Sequence, residues 1–404
     1  MSKAKTSRSP AFHLKALAMA MILLAVTLYF SPVLFRAILR PMMRNLIALP
    51  SPEKNQGLLL QHEAFTRPDV MPVYGSSELT VEMDKRAGDF FRWKGKGFQV
   101  CPVGAAGNTT FLMAQKIAAQ GAAVNRRKVA VILSSTWFRR SGVPKGHMAG
   151  NFSPLQAIEL FHTTALDSSL RQRFAKRLLD FPEVMEDHPL LNLYAHDMAA
   201  NQTEGIKHLL VRKALWSWEN ILDWEDQINS VAMALDYRSA DLKTWNMRPL
   251  TTPLHRIIKK MEREEPDEGD PGLLTPGPPL LQGGAHDEEY LAIMSSSQEW
   301  DDFALLLDTL KKLKADALVI GVPLPGVSSE KHGLSRAARS YYYRRVENMS
   351  VERGFHVETF SDHDMDQEFI VGASTHLTTK GWLYVDRLLD DFYHDRLPPP
   401  RIRS

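Results

Sequence analysis

A single cysteine, Cys101, stands in the 404 residues of this chain. An intramolecular disulfide is therefore excluded, and so is a zinc site built on several thiolates. Charge of one sign is also lacking: Lys and Arg total 49 against 47 Asp and Glu, a formal net charge of +2. That balance creates no field of the kind that gathers nucleic acid, so no nucleic-acid partner is expected. Neither a P-loop nor a dinucleotide-binding glycine fingerprint occurs, and no cofactor or metal is called for by the motifs present. What is there is a 44% hydrophobic chain, long enough to bury the core of one large domain or two modest ones.

Charge is missing from one stretch altogether. Positions 16–35 (ALAMAMILLAVTLYFSPVLF) carry none, and about 20 apolar residues suffice to span a ~30 Å hydrocarbon layer as a helix. The run exceeds the apolar part of a usual signal peptide, and no small-x-small cleavage site closes it. The sequence thus predicts one uncleaved N-terminal transmembrane helix within residues 1–44, ahead of a domain over 45–404. Lys3, Lys5, Arg8 and Lys15 precede the run, while Arg36, Arg40 and Arg44 follow it, so charge alone leaves the orientation open.

After a connector holding Pro41, Pro50 and Pro52, short apolar runs at 70–74, 98–103, 129–134, 317–322 and 355–360 alternate with helix-length stretches. This pattern predicts an α/β fold, a mostly parallel sheet with helices on both faces. A helical insertion at about 154–262 separates the third and fourth runs, with Leu209, Leu210, Ala214, Leu215, Trp218 and Leu222 at helical spacing. Residues 264–289 are dense in Pro, Gly and acid, the composition of a linker or surface loop. A helix over about 297–313, carrying Phe303, Leu306, Leu307 and Leu310, then leads into the fourth strand.

The first strand ends in VYGSSELT, residues 73–80. At the carboxyl edge of a parallel sheet, Gly75-Ser76-Ser77-Glu78 can present a nucleophilic serine to backbone N–H groups that stabilise an oxyanion. An N-capping serine explains the same letters. After the second strand, Gly104 and Gly107 bound a turn that either supplies a second oxyanion donor or is a plain strand-to-helix connection. Trp137 and Phe138, after the third strand, form a pocket wall or simply pack beneath a helix. The fifth strand is followed by Asp362, Asp364 and Asp366 and then by His376, just before a final helix. A serine after the first strand and a histidine before the last helix is an arrangement that small α/β serine hydrolases use.

In combination these stretches resemble the DltD family, membrane-anchored proteins with an SGNH-hydrolase-like (flavodoxin-like) domain that act in D-alanylation of teichoic acids. The resemblance is carried in order by Gly75-Ser76-Ser77-Glu78-Leu79, Val103-Gly104 through Gly107, Val131 to Ser134 with Trp137-Phe138, Val322-Pro323, Gly333-Leu334 to Tyr342-Tyr343, and His376-Leu377 with Lys380-Gly381-Trp382. It implies Ser77 as nucleophile and His376 as general base, with the Ser77 N–H and a group at Gly104 or Gly107 as oxyanion hole. Ser76, Glu78 and Trp137 become candidates for contact with substrate. It further implies an N-terminus inside and a domain outside the cytoplasmic membrane. The partners implied are the lipid bilayer, a DltB-like membrane-bound O-acyltransferase, a D-alanyl carrier protein acting through it, and a cell-envelope polymer as acceptor, either a teichoic acid or an analogous glycan or lipopolysaccharide. The chain departs from the family at Ala373, where an aspartate usually stands three residues before the histidine. Asp366 or Asp364 is then the substitute acid, or a Ser–His dyad works alone. Two other readings stay open: an SGNH-type esterase or thioesterase that removes acyl groups, and a non-catalytic scaffold for the acyltransferase, which Ala373 keeps in view.

Overall fold

Four of the five apolar runs are too uniformly apolar for a sheet with one wet face, and the computed structural model shows why. It describes residues 10–83, 85–92, 96–138, 145–240, 283–372 and 376–401. Strands β1 (Val70–Gly75), β2 (Gln99–Gly104), β3 (Lys128–Leu133), β4 (Asp316–Gly321) and β5 (His356–Glu358) form one parallel sheet in the order β2-β1-β3-β4-β5. Alternate side chains feed two cores. Tyr74, Val103, Val131 and Val319 enter one; Met71, Val73, Val100, Ile132 and Ile320 enter the other. The strands lie within a residue or two of the positions expected, because a strand buried on both faces leaves an unbroken apolar signature.

The first core is covered by the helices Thr110–Ala119 and Glu299–Lys312, which pack on one another. Glu299, Asp301 and Asp302 open the latter helix and Lys311 and Lys312 close it, matching its dipole. The final helix, Thr379–Tyr393, covers the second core with Trp382, Val385, Leu389 and Phe392.

Between β3 and β4 the chain inserts a helical body. Its longer helices are Pro154–His162, Ser168–Leu178, Pro189–Ala199 and Ile206–Ala240. Ser153 caps the first of these by accepting from Gln156 N–H, with Pro154 at the first helical position. In the last, Leu215 is buried, whereas Leu209 and Leu210 remain exposed. The remainder of the expected insertion and most of the expected linker, residues 241–282, lie outside the described residues; a helix Asp287–Ser296 takes up the end of that linker.

The predicted anchor falls within a helix, Pro10–Leu39, along which Leu17, Ile22, Phe30 and Leu34 are exposed. Among the described residues no helix is long and apolar enough to cross a membrane. The side chains at positions 24, 25 and 28, inside the uncharged run, lie outside that description.

Candidate functional site

In this strand order the chain moves outward from β1 to β2 and returns to the other side of β1 at β3. The carboxyl ends of β1 and β3 therefore flank a topological switch point, where open α/β sheets bind ligands. Ser77 stands there, opening the single turn Ser77–Leu79 that follows β1.

Three contacts shape this turn. Glu78 is buried and folds its carboxylate back to accept the N–H of Ser76. The Ser76 hydroxyl donates to Ala105 O at 3.3 Å, and Asn108 Nδ2 donates to Gly75 O at 2.7 Å, so the turns after β1 and β2 are tied together. Gly75 and Gly104 face one another as the last pair of the β1–β2 ladder, and a Cβ on Gly104 would lie 2.4 Å from Gly75 O. Glycine at 104 is thus set by close approach of the two strand ends. Gly107 has φ of +86° and backs onto the His147 ring, where a side chain has no room.

His376 arrives from the far end of the chain. Val371 N–H donates to His376 O at 2.8 Å, an antiparallel bridge joins Ile370 to Leu377, and Thr378 caps the final helix by accepting from Gly381 N–H. Held in this way, its Nε2 lies 2.9 Å from Ser77 Oγ. Burial lowers the imidazole pKa below its ordinary value, which keeps the ring neutral and able to accept a proton at neutral pH. Burial also raises the Glu78 carboxyl to about 7, against the lowering effect of the backbone N–H groups it accepts.

The remaining candidates divide. Trp137 stands beside the His147 ring, with centroids 5.4 Å apart, and His147 in turn touches Gly107, so one side of the Gly104–Gly107 turn is aromatic. Phe138 is instead core, packed on Trp300 and Tyr342. Ser76 and Glu78 are buried in the turn and act on one another and on Ala105. Asp366 accepts from Lys380 Nζ at 2.9 Å and the Glu368 N–H at 3.0 Å, and lies 3.3 Å from His363 Nδ1. Asp364 accepts from the fully buried Arg339 at 3.0 Å. Both carboxylates are engaged by these partners. Ala373 lies outside the described residues. Asn108, His147 and Arg339 were not singled out in the sequence; an asparagine next to a turn glycine was the one available sign, and it is too common to read alone.

The chain is similar to known proteins along most of its length. A family model described as DltD protein matches residues 49–270 and 279–394. Protein DltD of Bacillus subtilis (strain 168) is 28% identical over 355 residues, covering 85% of this chain and 87% of the relative. Protein DltD of Staphylococcus aureus (strain NCTC 8325 / PS 47) is 23% identical over 344 residues, covering 82% and 83%. That of Lacticaseibacillus rhamnosus is 24% identical over 385 residues, covering 92% and 88%.

Proposed function

Because the chain belongs to the DltD family, we propose that it serves D-alanylation of a cell-envelope polymer, a teichoic acid or an analogous glycan, by carrying the acyl group as an ester on Ser77. The family membership supports the process; the 2.9 Å contact between Ser77 Oγ and His376 Nε2 carries the mechanism.

In the first half-reaction His376 Nε2 takes the hydroxyl proton while Ser77 Oγ attacks the carbonyl carbon of a D-alanyl ester or thioester. The bond from that carbon to the donor's oxygen or sulfur breaks, and His376 returns the proton to the leaving group. In the second half-reaction an acceptor hydroxyl gives its proton to His376 and attacks the Ser77 ester, and Ser77 Oγ leaves and is reprotonated. The Ser77 N–H, with a group at Gly104 or Gly107, is the oxyanion site, and Trp137 walls the substrate space. Ser76 and Glu78 are positioning residues, since their polar atoms hold the turn. Asp364 and Asp366 are engaged by Arg339 and Lys380, and the proton transfers of the mechanism are carried by Ser77 and His376.

The order 2-1-3-4-5 is that of flavodoxin-like sheets, which supports reading the domain as SGNH-like. The uncharged run at 16–35 supports reading the first helix as the membrane anchor, with the domain on the extracytoplasmic side. A DltB-like O-acyltransferase supplied by a D-alanyl carrier protein is then the donor side. The test is envelope ester-linked D-alanine in cells whose only copy is Ser77→Ala. Loss of the ester is expected; full acylation would sink the transfer mechanism and return the scaffold.

A further inference from the structure

The face that the helix Ile206–Ala240 turns toward the helix Pro10–Leu39 continues past the point where the two meet. At that point Trp224 donates its indole N–H to Ser31 Oγ at 2.8 Å, and its ring centroid lies 6.5 Å from that of Phe35. With 3.6 residues per turn, Ile206, Leu209, Leu210, Trp216 and Ile221 fall within an arc of about 140°, with Trp224 near its centre. All five are exposed, from 45% at Leu209 to 79% at Ile206. The face extends about 27 Å beyond Trp224. No acid interrupts it: Lys213, Ser217 and Asn220 share the arc, and Lys207 and Arg212 flank it. The serine chemistry has no use for these side chains, and an apolar patch of this extent marks a contact surface.

Burial along the helix Pro10–Leu39 shows where the domain begins. Every side chain described before Ser31 is exposed, and Ser31 is the first to be buried. Trp224 therefore belongs to the end of the domain nearest the uncharged run. That end is the carboxyl edge of the sheet. Asp226 accepts the N–H groups of Leu58 and Leu59 at 2.8 Å. Asn55 donates to Asn151 Oδ1, and Asn151 Nδ2 donates to Ala106 O in the turn after β2. The opposite edge lies further along the chain, where Arg44 pairs with Asp69 ahead of β1 at 2.9 Å and its carbonyl accepts from Gln99 Nε2 at the start of β2. The edge that carries Ser77 is thus turned toward the uncharged run.

From this placement, and resting on the reading of positions 16–35 as a membrane anchor, we infer that the exposed apolar face of the helix Ile206–Ala240 lies on the bilayer surface as a second, interfacial contact. Ser31 stands inside the uncharged run, about 6 Å from its end at Phe35. A bilayer that takes up the run reaches the level of Trp224 and meets the face that continues from it. The composition suits lipid as the occupant. Interfacial helices bury Trp and Leu about 5–10 Å into the boundary between headgroups and acyl chains and keep Lys and Arg beside them. Lys213, within the arc, has a stem long enough to bring its ammonium up to the phosphates. A single anchor helix leaves the domain free to swivel, whereas a second contact holds the Ser77 edge toward the bilayer.

The test uses the full chain in phosphatidylcholine–phosphatidylglycerol nanodiscs, with an environment-sensitive fluorophore on one introduced cysteine at a time. Cys101 is buried and stays unlabelled in the folded chain. The exposed positions are Leu210→Cys and Ile221→Cys on the face, Val26→Cys in the anchor, and Asn125→Cys ahead of β3 at the amino edge. Lipids brominated near the headgroup are expected to quench the labels at 210 and 221, lipids brominated deep in the chain to quench the label at 26, and neither to quench the label at 125. Quenching at 26 with none at 210 and 221 overturns the inference and leaves the anchor standing. No quenching at 26 removes the anchor reading and this inference with it. Labels at 210 and 221 that are blue-shifted yet insensitive to bromine reveal a protein partner or a second copy on the face, which also overturns it. The readout does not pass through Ser77, so the serine mechanism stands or falls separately.

Discussion

Replacing His376 by glutamine is the sharpest probe of the proposed serine site, because it keeps bulk and a hydrogen-bonding end while removing the imidazole 2.9 Å from Ser77 Oγ. General-base catalysis by a positioned side chain contributes about 10²–10⁴-fold, or about 3–5 kcal/mol in barrier. Ser77 labelling by a fluorophosphonate, followed by mass spectrometry across pH, should slow by that factor. The sign of the pH dependence is fixed by the same nitrogen. Protonated imidazole cannot accept the serine proton, so wild-type labelling falls as pH drops through the imidazole pKa. Burial lowers that pKa, which places the midpoint below the ordinary imidazole value of 6.5. The glutamine variant should lose this limb and react slowly at every pH. Labelling within about tenfold of wild type, with the acidic limb intact, would refute His376 as the base.

Four further outcomes follow from the packing. Gly104→Ala places a Cβ 2.4 Å from Gly75 O, so the strand ends must part; a stability loss of about 1–3 kcal/mol is expected by denaturant titration, with a larger loss in Ser77 labelling than in folding. Glu78→Gln reports on a buried carboxyl raised to about 7. Its raised pKa means that the folded chain holds the proton more tightly than the unfolded one, so wild-type stability is fullest below about 4.5 and declines as pH rises through 7, by about 3 kcal/mol from this group. Urea titrations at pH 5 and 8 should show the glutamine variant gaining on wild type by about that amount, and parallel curves would remove the effect. Asp364→Ala removes one of the two carboxylates on the buried Arg339 guanidinium, leaving Glu330 at 3.2 Å, and should cost about 1–3 kcal/mol in a thermal or denaturant melt. Asp366→Asn disturbs only the pairing with Lys380 and His363 and should leave Ser77 labelling within about threefold, whereas a loss of 10² or more would place Asp366 behind the base.

Local pattern carried the architecture of this chain. Four of the five runs read as strands because residues buried on both faces of a parallel sheet must be apolar almost without interruption, as 129–134 and 317–322 are. Ser77 after the first strand was legible for the same reason, since the carboxyl edge follows from strand direction. Contact between Ser77 and His376, 299 residues apart, was not, and only the resemblance to a family suggested it. Strand order decides which distant loops share an edge, and no local pattern encodes that order. Side-chain roles in the turn were equally hidden. Glu78 looked like a polar residue free to meet substrate, and Asp366 like a free acid, until packing buried the one and paired the other with Lys380. Composition and periodicity thus determined the layers and the edge at which a site could form. Which polar groups face that site, and which are consumed in holding it, was decided by tertiary structure, because hydrogen-bond partners are chosen by proximity in space.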